Sequence, residues 1–316
     1  MNPLISVVVC THNRAELLAG ALRALHAQEL DDSVFEILVI DNNSTDVTRE
    51  VAAGFPGVRY IHEPRVGLSH ARNRGFAEAR GEYVAYTDDD CEPPPQWLAV
   101  AKDVITEHAP EVFGGPYRAF YRSPKPAWYK DEYGSREPGP GARFLDPGEA
   151  VAGNNMFFRR DALDLSGGFD PDLGMSGDRI AYAEETALQD RIRSLAATAR
   201  TYYDPRLYVL HLVRPEQMTL RWYLRACFGK GRSAYRARRT SPRPGGRLAL
   251  FGRLVYTAAR ALADGLLATV RRDRQRHPWL ENHLWEVTSR YVRSLGVLWA
   301  AIREPYEPAQ QLAEGH

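Results

Sequence analysis

Short apolar runs that stop in polar residues alternate with helix-spaced segments through the first third of the chain. Leu4 to Cys10 stops at Thr11-His12-Asn13-Arg14. Phe35 to Ile40 stops at Asp41-Asn42-Asn43-Ser44-Thr45-Asp46. Val58 to Ile61 follows, and Tyr83-Val84-Ala85-Tyr86-Thr87 stops in Asp88-Asp89-Asp90, with Pro93-Pro94-Pro95 just beyond. Runs of this length bounded by breakers read as buried strands. Between them Leu17, Leu18, Ala21, Leu22 and Leu25 recur at helical spacing, a short helix runs through Val51, and Gly67 opens another that Gly81 stops. Strands alternating with helices imply a parallel sheet covered on both faces. In such sheets ligands bind outside the carboxyl ends of the strands, where Thr11, Asp41 and Asp88 stand. Adjacent carboxylates repel one another and raise each other's pKa. A divalent cation such as Mg²⁺ or Mn²⁺ removes the conflict with hard oxygen ligands; a solvated acidic turn is the alternative.

Further along, Phe113 to Pro147 is rich in Pro, Gly and aromatic residues and reads as irregular loops. Trp128 and its aromatic neighbours are either platforms for a sugar ring or staples to a core. Ala152 to Phe158 is strand-like, Gly167-Gly168-Phe169-Asp170 is a turn, and a helix begins at Tyr182 carrying Glu184 and Glu185 in its first turn. Acids there also suit the helix dipole. Tyr208 to Leu212 is a last strand bearing His211, either a ligand or a satisfied core histidine.

Charge divides the chain. Residues 205–276 hold 17 basic against 3 acidic residues, while the part before Pro205 is acidic. After a break at Pro242 to Gly246 the stretch Leu248 to Val270 is mostly apolar, but Arg253, Arg260 and Asp264, with Arg271, fall on one stripe of a helix. A membrane-spanning helix is excluded by those charges at roughly 2.5–3.5 kcal/mol each. An amphipathic helix remains, either packed against a final helix opened by Pro278 or lying on a membrane surface. Cys10, Cys91 and Cys227 show no metal or disulfide spacing, which fits a reducing compartment, and no signal peptide is visible.

Taken in order, Val7 to Arg14, Ile40 to Asp46, Gly67 to Gly75 and Thr87 to Asp90 resemble the successive motifs of family 2 glycosyltransferases with the GT-A fold. Gly167 to Asp170 and Glu184-Glu185 extend the resemblance, which covers about residues 4–235. It implies a mostly parallel, Rossmann-like α/β sheet over residues 1–215, with a nucleotide-sugar half (about 1–110) and an acceptor half (about 111–215). Residues 216–316 then form a basic helical extension. It implies inverting transfer from a UDP-, GDP- or dTDP-sugar to a sugar or lipid-linked acceptor, with Mn²⁺ or Mg²⁺.

By the same resemblance Thr11, His12, Asn13, Arg14, Asp41, Asn43, Arg72, Asp88 and Asp89 bind the donor. Asp90, with Asp88 and His211, holds the metal. Glu185 is the base with Glu184 beside it, and Asn154, Asn155 and Trp128 meet the acceptor. A cytoplasmic enzyme at the inner face of the cytoplasmic membrane is the matching location, and the C-terminal helices are a candidate homodimer contact. Nucleotidyl transfer is an alternative, but no Gly-rich basic loop follows the first strand. A non-catalytic protein binding anionic surfaces is another. Nucleic acid is not expected, because phosphate backbones avoid acidic clefts.

Overall fold

A computed structural model describes residues 2–176, 181–196, 198–237 and 246–304. Most of the expected break at Pro242 to Gly246 lies outside them. The described residues fall into two compact units, one of Met1–Arg122, Asp131–Asp172 and Glu184–Val213, the other of Ser123–Lys130, Leu173–Ala183 and Arg214–His316. The second unit thus takes two loops from within the expected catalytic span.

The first unit runs β1 (Ile5–Thr11), α1 (Ala15–His26), β2 (Phe35–Asp41), α2 (Thr48–Ala53), β3 (Val58–His62), α3 (Leu68–Glu78) and β4 (Tyr83–Asp88). It continues with β5 (Cys91–Glu92), α4 (Trp97–His108), β6 (Val112–Gly114), β7 (Tyr117–Phe120), β8 (Arg143–Phe144), β9 (Asn155–Arg159) and α5 (Arg160–Ser166). α6 (Glu184–Leu195), β10 (Thr201–Tyr203) and β11 (Val209–Leu212) complete it. The main sheet has the order β3-β2-β1-β4-β9-β6-β10-β8. β3, β2, β1 and β4 are parallel, and β9 runs against both β4 and β6.

Strand alternation sorts the core. Ile5, Val7 and Val9 of β1 face α1 and α4, where Leu18, Leu22, Leu25 and Trp97 close the layer. Val8 faces the other side with Ala71 of α3, Leu163 of α5 and Leu188 of α6. The expected helix from Tyr182 starts at Glu184. The loops expected over Phe113 to Pro147 are corrected in part: β6 joins the main sheet, and β7 joins a second one ordered β5-β11-β7. Their short spans carry too few residues for a period-2 signal to stand out from aromatic loop composition.

In the second unit α7 (Leu220–Arg236) and α10 (Ser289–Arg303) cross closely. A methyl on Gly231 would strike the Arg293 carbonyl, and one on Gly296 the Phe228 carbonyl. α8 (Arg247–Arg271) lays Leu250 against Leu298 and Ala301 of α10. The single final helix expected after Pro278 is instead α9 (Leu280–His283), a π turn over Leu284–Thr288, and α10. Within the π turn Trp285 is buried, with its ring stacked 3.4 Å from that of Tyr223. Trp128 packs 5.6 Å from the same indole, a contact within the second unit.

Gly75 tests how tightly α3 sits on the sheet, since a methyl there would run into Val8 Cγ1 and come within 3.3 Å of Ile40 Cγ1. We expect Gly75→Ala to destabilise the protein by about 1–3 kcal/mol, overpacking outweighing the helix-propensity gain. An unchanged or higher midpoint in urea denaturation would show that the α3–sheet contact yields freely.

Candidate active site

Parallel pairing brings the polar strand ends side by side, with Thr11 opposite Asp41 and Cys10 opposite Asp88. Asp41 is buried, accepting the Ser44 N–H through Oδ1 at 2.8 Å and the Tyr60 hydroxyl through Oδ2 at 2.6 Å. Asn13 and Asn43 both carry positive φ, 53° and 64°. Their loops are latched together: Asn13 N–H donates to Ser44 Oγ, and Thr45 N–H donates to Asn13 Oδ1 at 2.7 Å. Asn residues tolerate this backbone region better than other non-glycine residues. His12 is exposed, its Nδ1 2.8 Å from the Asn42 carbonyl. Buried Asn42 spans three turns, donating to the Glu63 and Arg65 carbonyls and accepting from Gly67 N–H. Tyr60 and Asn42 are supports that the sequence reading missed. Tyr60 lies on a strand whose alternation alone gave no sign of an Asp41 partner.

The three carboxylates divide into different roles. Asp89 points inward, accepting from the Thr11 hydroxyl at 2.8 Å and from Arg14 Nη1 at 3.0 Å. Burial pushes its pKa up to about 7 against the pull of Arg14. Thr11, Arg14 and Asp89 therefore form a brace behind the strand end. Asp88 is the open member, with 37% of its side chain exposed. Its pKa is also raised, by desolvation and by Asp90, with Arg72 opposing.

Asp90 faces His211 at 3.5 Å from Oδ1 to Nε2. This neighbour is made by the second sheet: β11 pairs antiparallel with β5, placing His211 opposite Cys91, while Leu212 N–H donates to the Asp90 carbonyl. Nδ1 of His211 is buried without a hydrogen-bond partner. Carboxylate oxygens beside an imidazole suit Mn²⁺ or Mg²⁺ in ligand type. Among the described residues no three His, Cys, Asp or Glu side chains form a complete ligand group.

Arg72 joins this edge to the far carboxylates. It is 3% exposed, donates from Nη1 to Glu184 Oε1 at 2.7 Å and from Nη2 to the Gly153 carbonyl at 3.0 Å, and lies 3.6 Å from Asp88. Burial by itself would lower its pKa, yet Glu184 and Asp88 hold it above the ordinary arginine value. Burial and the adjacent Glu185 push Glu184 up to about 8, with Arg72 opposing. Its Oε2 is buried without a hydrogen-bond partner. Glu185 is partly exposed. Among the described residues no side chain or backbone donor takes its carboxylate.

α6 is set against the segment before β9 by Gln189, whose amide exchanges hydrogen bonds with both backbone groups of Val151. Asn154 is 8% exposed and its Oδ1 lacks a hydrogen-bond partner. For Asn155 the expected acceptor contact is corrected. Its side chain is fully buried, accepts from Trp97 Nε1 at 3.0 Å and donates to the Pro116 and Leu207 carbonyls, so both its N–H donors and its oxygen serve the fold. The Gly168-Phe169 turn is likewise structural, held by reciprocal bonds between Asn73 and Phe169.

Comparison with known proteins agrees with this geometry. The profile of glycosyl transferase family 2 matches residues 6–165. The chain is 29% identical over 181 residues to the glycosyltransferase AglE of Haloferax volcanii, covering 56% of this chain and 59% of that one. It is 26% identical over 240 residues to the glucosyl-dolichyl phosphate glucuronosyltransferase of the same organism, covering 72% and 75%. It is 27% identical over 239 residues to the succinoglycan biosynthesis protein ExoM of Rhizobium meliloti, covering 72% and 73%. Among solved structures, the mannosyltransferase PcManGT of Pyrobaculum calidifontis, in complex with GDP-Man and Mn²⁺, superposes with a TM-score of 0.55 at 21% identity, covering 100% of this chain and 80% of that one. TarS of S. aureus, residues 1–349 in complex with UDP-GlcNAc, gives 0.54 at 17% identity, covering 94% and 90%. The chain therefore belongs to glycosyl transferase family 2, and its α/β architecture is that of the GT-A glycosyltransferases.

Proposed function

We propose that this glycosyltransferase works with inversion, moving a sugar from a nucleoside diphosphate to an acceptor hydroxyl, with the donor at the ends of β1, β2 and β4. The observation that carries the reading is the Arg72 bridge, which sets Asp88 on one side of a buried guanidinium and Glu184, next to Glu185, on the other. Inverting transfer needs a cation-stabilised leaving group and a base on the acceptor side. Asp90, Asp88 and His211 are the residues that would hold the metal, which would supply positive charge beside the departing diphosphate. The complexes of PcManGT with GDP-Man and Mn²⁺ and of GalNAc-T7 with UDP, GalNAc and Mn²⁺ support such a donor and metal.

Glu185 is the proposed base, because it is partly exposed and no donor among the described residues takes its carboxylate, whereas Glu184 is held by Arg72. Glu185 takes the proton of the acceptor hydroxyl as its oxygen bonds to the anomeric carbon and the bond to the diphosphate breaks. Asn154 is the proposed acceptor contact. A lipid-linked acceptor at the inner face of the membrane fits the dolichyl-phosphate substrate in the name of one relative. Family membership favours glycosyl over nucleotidyl transfer and over a purely binding role.

Three variants test this reading. Asp90→Asn should remove Mn²⁺-dependent binding of nucleotide-sugar while leaving the fold intact; unchanged affinity in calorimetry would overturn the metal assignment. Glu185→Gln should lower kcat by about 10²–10⁴-fold with donor affinity nearly unchanged. Glu184→Gln serves as the comparison in steady-state kinetics: if it alone produces that loss, the base is Glu184.

A further inference from the structure

α8 buries one side and leaves its opposite side both exposed and apolar. Leu250 and Ala268 are nearly inaccessible, whereas Leu248 is 86%, Leu262 69%, Leu266 71% and Val270 79% exposed. At about 100° per residue these four, with Val255 and Ala259 between them, fall on one face that contains no charged residue. From Leu248 to Val270 the face extends about 33 Å. The two alternatives drawn from the sequence, packing and a membrane surface, are therefore not exclusive. α8 does pack against α10, but with a different set of side chains from those it displays.

The charges lie where an interfacial helix needs them. Arg253, Arg260 and Arg271 are exposed and run in a row about 120–140° round from the centre of the apolar face. Arg272, Arg274 and Arg276 extend the basic charge beyond the helix end. Asp264, expected on the same stripe as the arginines, is instead drawn inward, accepting from Thr288 Oγ1 at 2.5 Å and lying 3.1 Å from His283 Nε2. No helix among the described residues is long and apolar enough to cross a membrane.

We propose that α8 lies in the surface of an anionic lipid bilayer, its Leu248–Val270 face among the acyl chains and its arginine row at the headgroups. An apolar face with flanking cations has the chemistry of an interfacial helix: the arginine stems follow the apolar surface and their guanidinium groups reach phosphate. A second copy of the chain fits less well. A twofold, antiparallel pairing through this face puts both arginine rows on the same side of the seam and gives neither an anionic partner. The inference goes beyond the donor and metal assignments and does not depend on them.

Vesicle flotation of the full chain tests it, with phosphatidylcholine vesicles and with vesicles that also contain phosphatidylglycerol. The chain should float with the anionic vesicles at low salt and progressively less as salt rises. Leu262→Glu/Leu266→Glu should weaken partitioning by about tenfold or more, since each buried leucine is worth more than a factor of ten. Arg253→Gln/Arg260→Gln/Arg271→Gln should erase the preference for anionic lipid. All five positions are exposed, so unchanged melting temperatures and unchanged calorimetric donor binding would separate these effects from misfolding and from the catalytic reading. Failure to float with either vesicle at low salt, or flotation of the leucine variant equal to the parent, would overturn the proposal. A dimer dissociated by the leucine substitutions, without vesicle binding, would overturn it in favour of a second copy.

Discussion

The site depends on one buried cation. Arg72, on the first turns of α3, is almost wholly out of water, so its charge must be matched by protein groups. Glu184, the Gly153 carbonyl and Asp88 meet its fork, and Phe169 stands 5.3 Å from it at the ring centroid. These partners come from α6, the segment before β9, the end of β4 and the turn after α5. A point charge on a flexible stem would not fix so many directions at once; the planar guanidinium does. Removing it would leave Glu184 buried and uncompensated, a loss typically of about 3–5 kcal/mol.

Around that cation the fold separates charges that the sequence places next to one another. Asp88, Asp89 and Asp90 leave β4 in succession, yet Asp89 turns to Thr11 and Arg14, Asp90 to His211, and Asp88 to Arg72 and solvent. Each has its own cationic or hydrogen-bonding partner, which limits repulsion among the three; burial first, and then the neighbouring carboxylates, still push the pKa of Asp88 and Asp89 up. A site holding such residual strain gains most from a divalent cation, and binding and folding are coupled through the same charges.

The second unit solves a different problem with similar economy. Glycines bring α7 and α10 close, and the Trp285 ring ties Trp128 and Tyr223 to the π turn. This packing uses one side of α8 only. The apolar side left in water is an energetic liability for an isolated chain and is relieved by any apolar cover.

The sequence by itself determined the alternation of strand and helix, the parallel β1–β4 core, the polar strand ends and the family, because these are local patterns of period and punctuation. Through the family resemblance it also pointed to Asp88, Asp90 and Glu185 as candidate site residues. The tertiary structure decided the rest. β9 entered the sheet antiparallel and spent Asn155 on backbone carbonyls; β11 joined a separate small sheet and so came beside Asp90; the π turn interrupted the final helix; and Asp264 left the arginine stripe for Thr288 and His283. Each of these depends on which distant segment supplies a hydrogen-bond or charge partner. Residue periodicity encodes which face of an element is apolar, but it carries no information about which partner lies against that face.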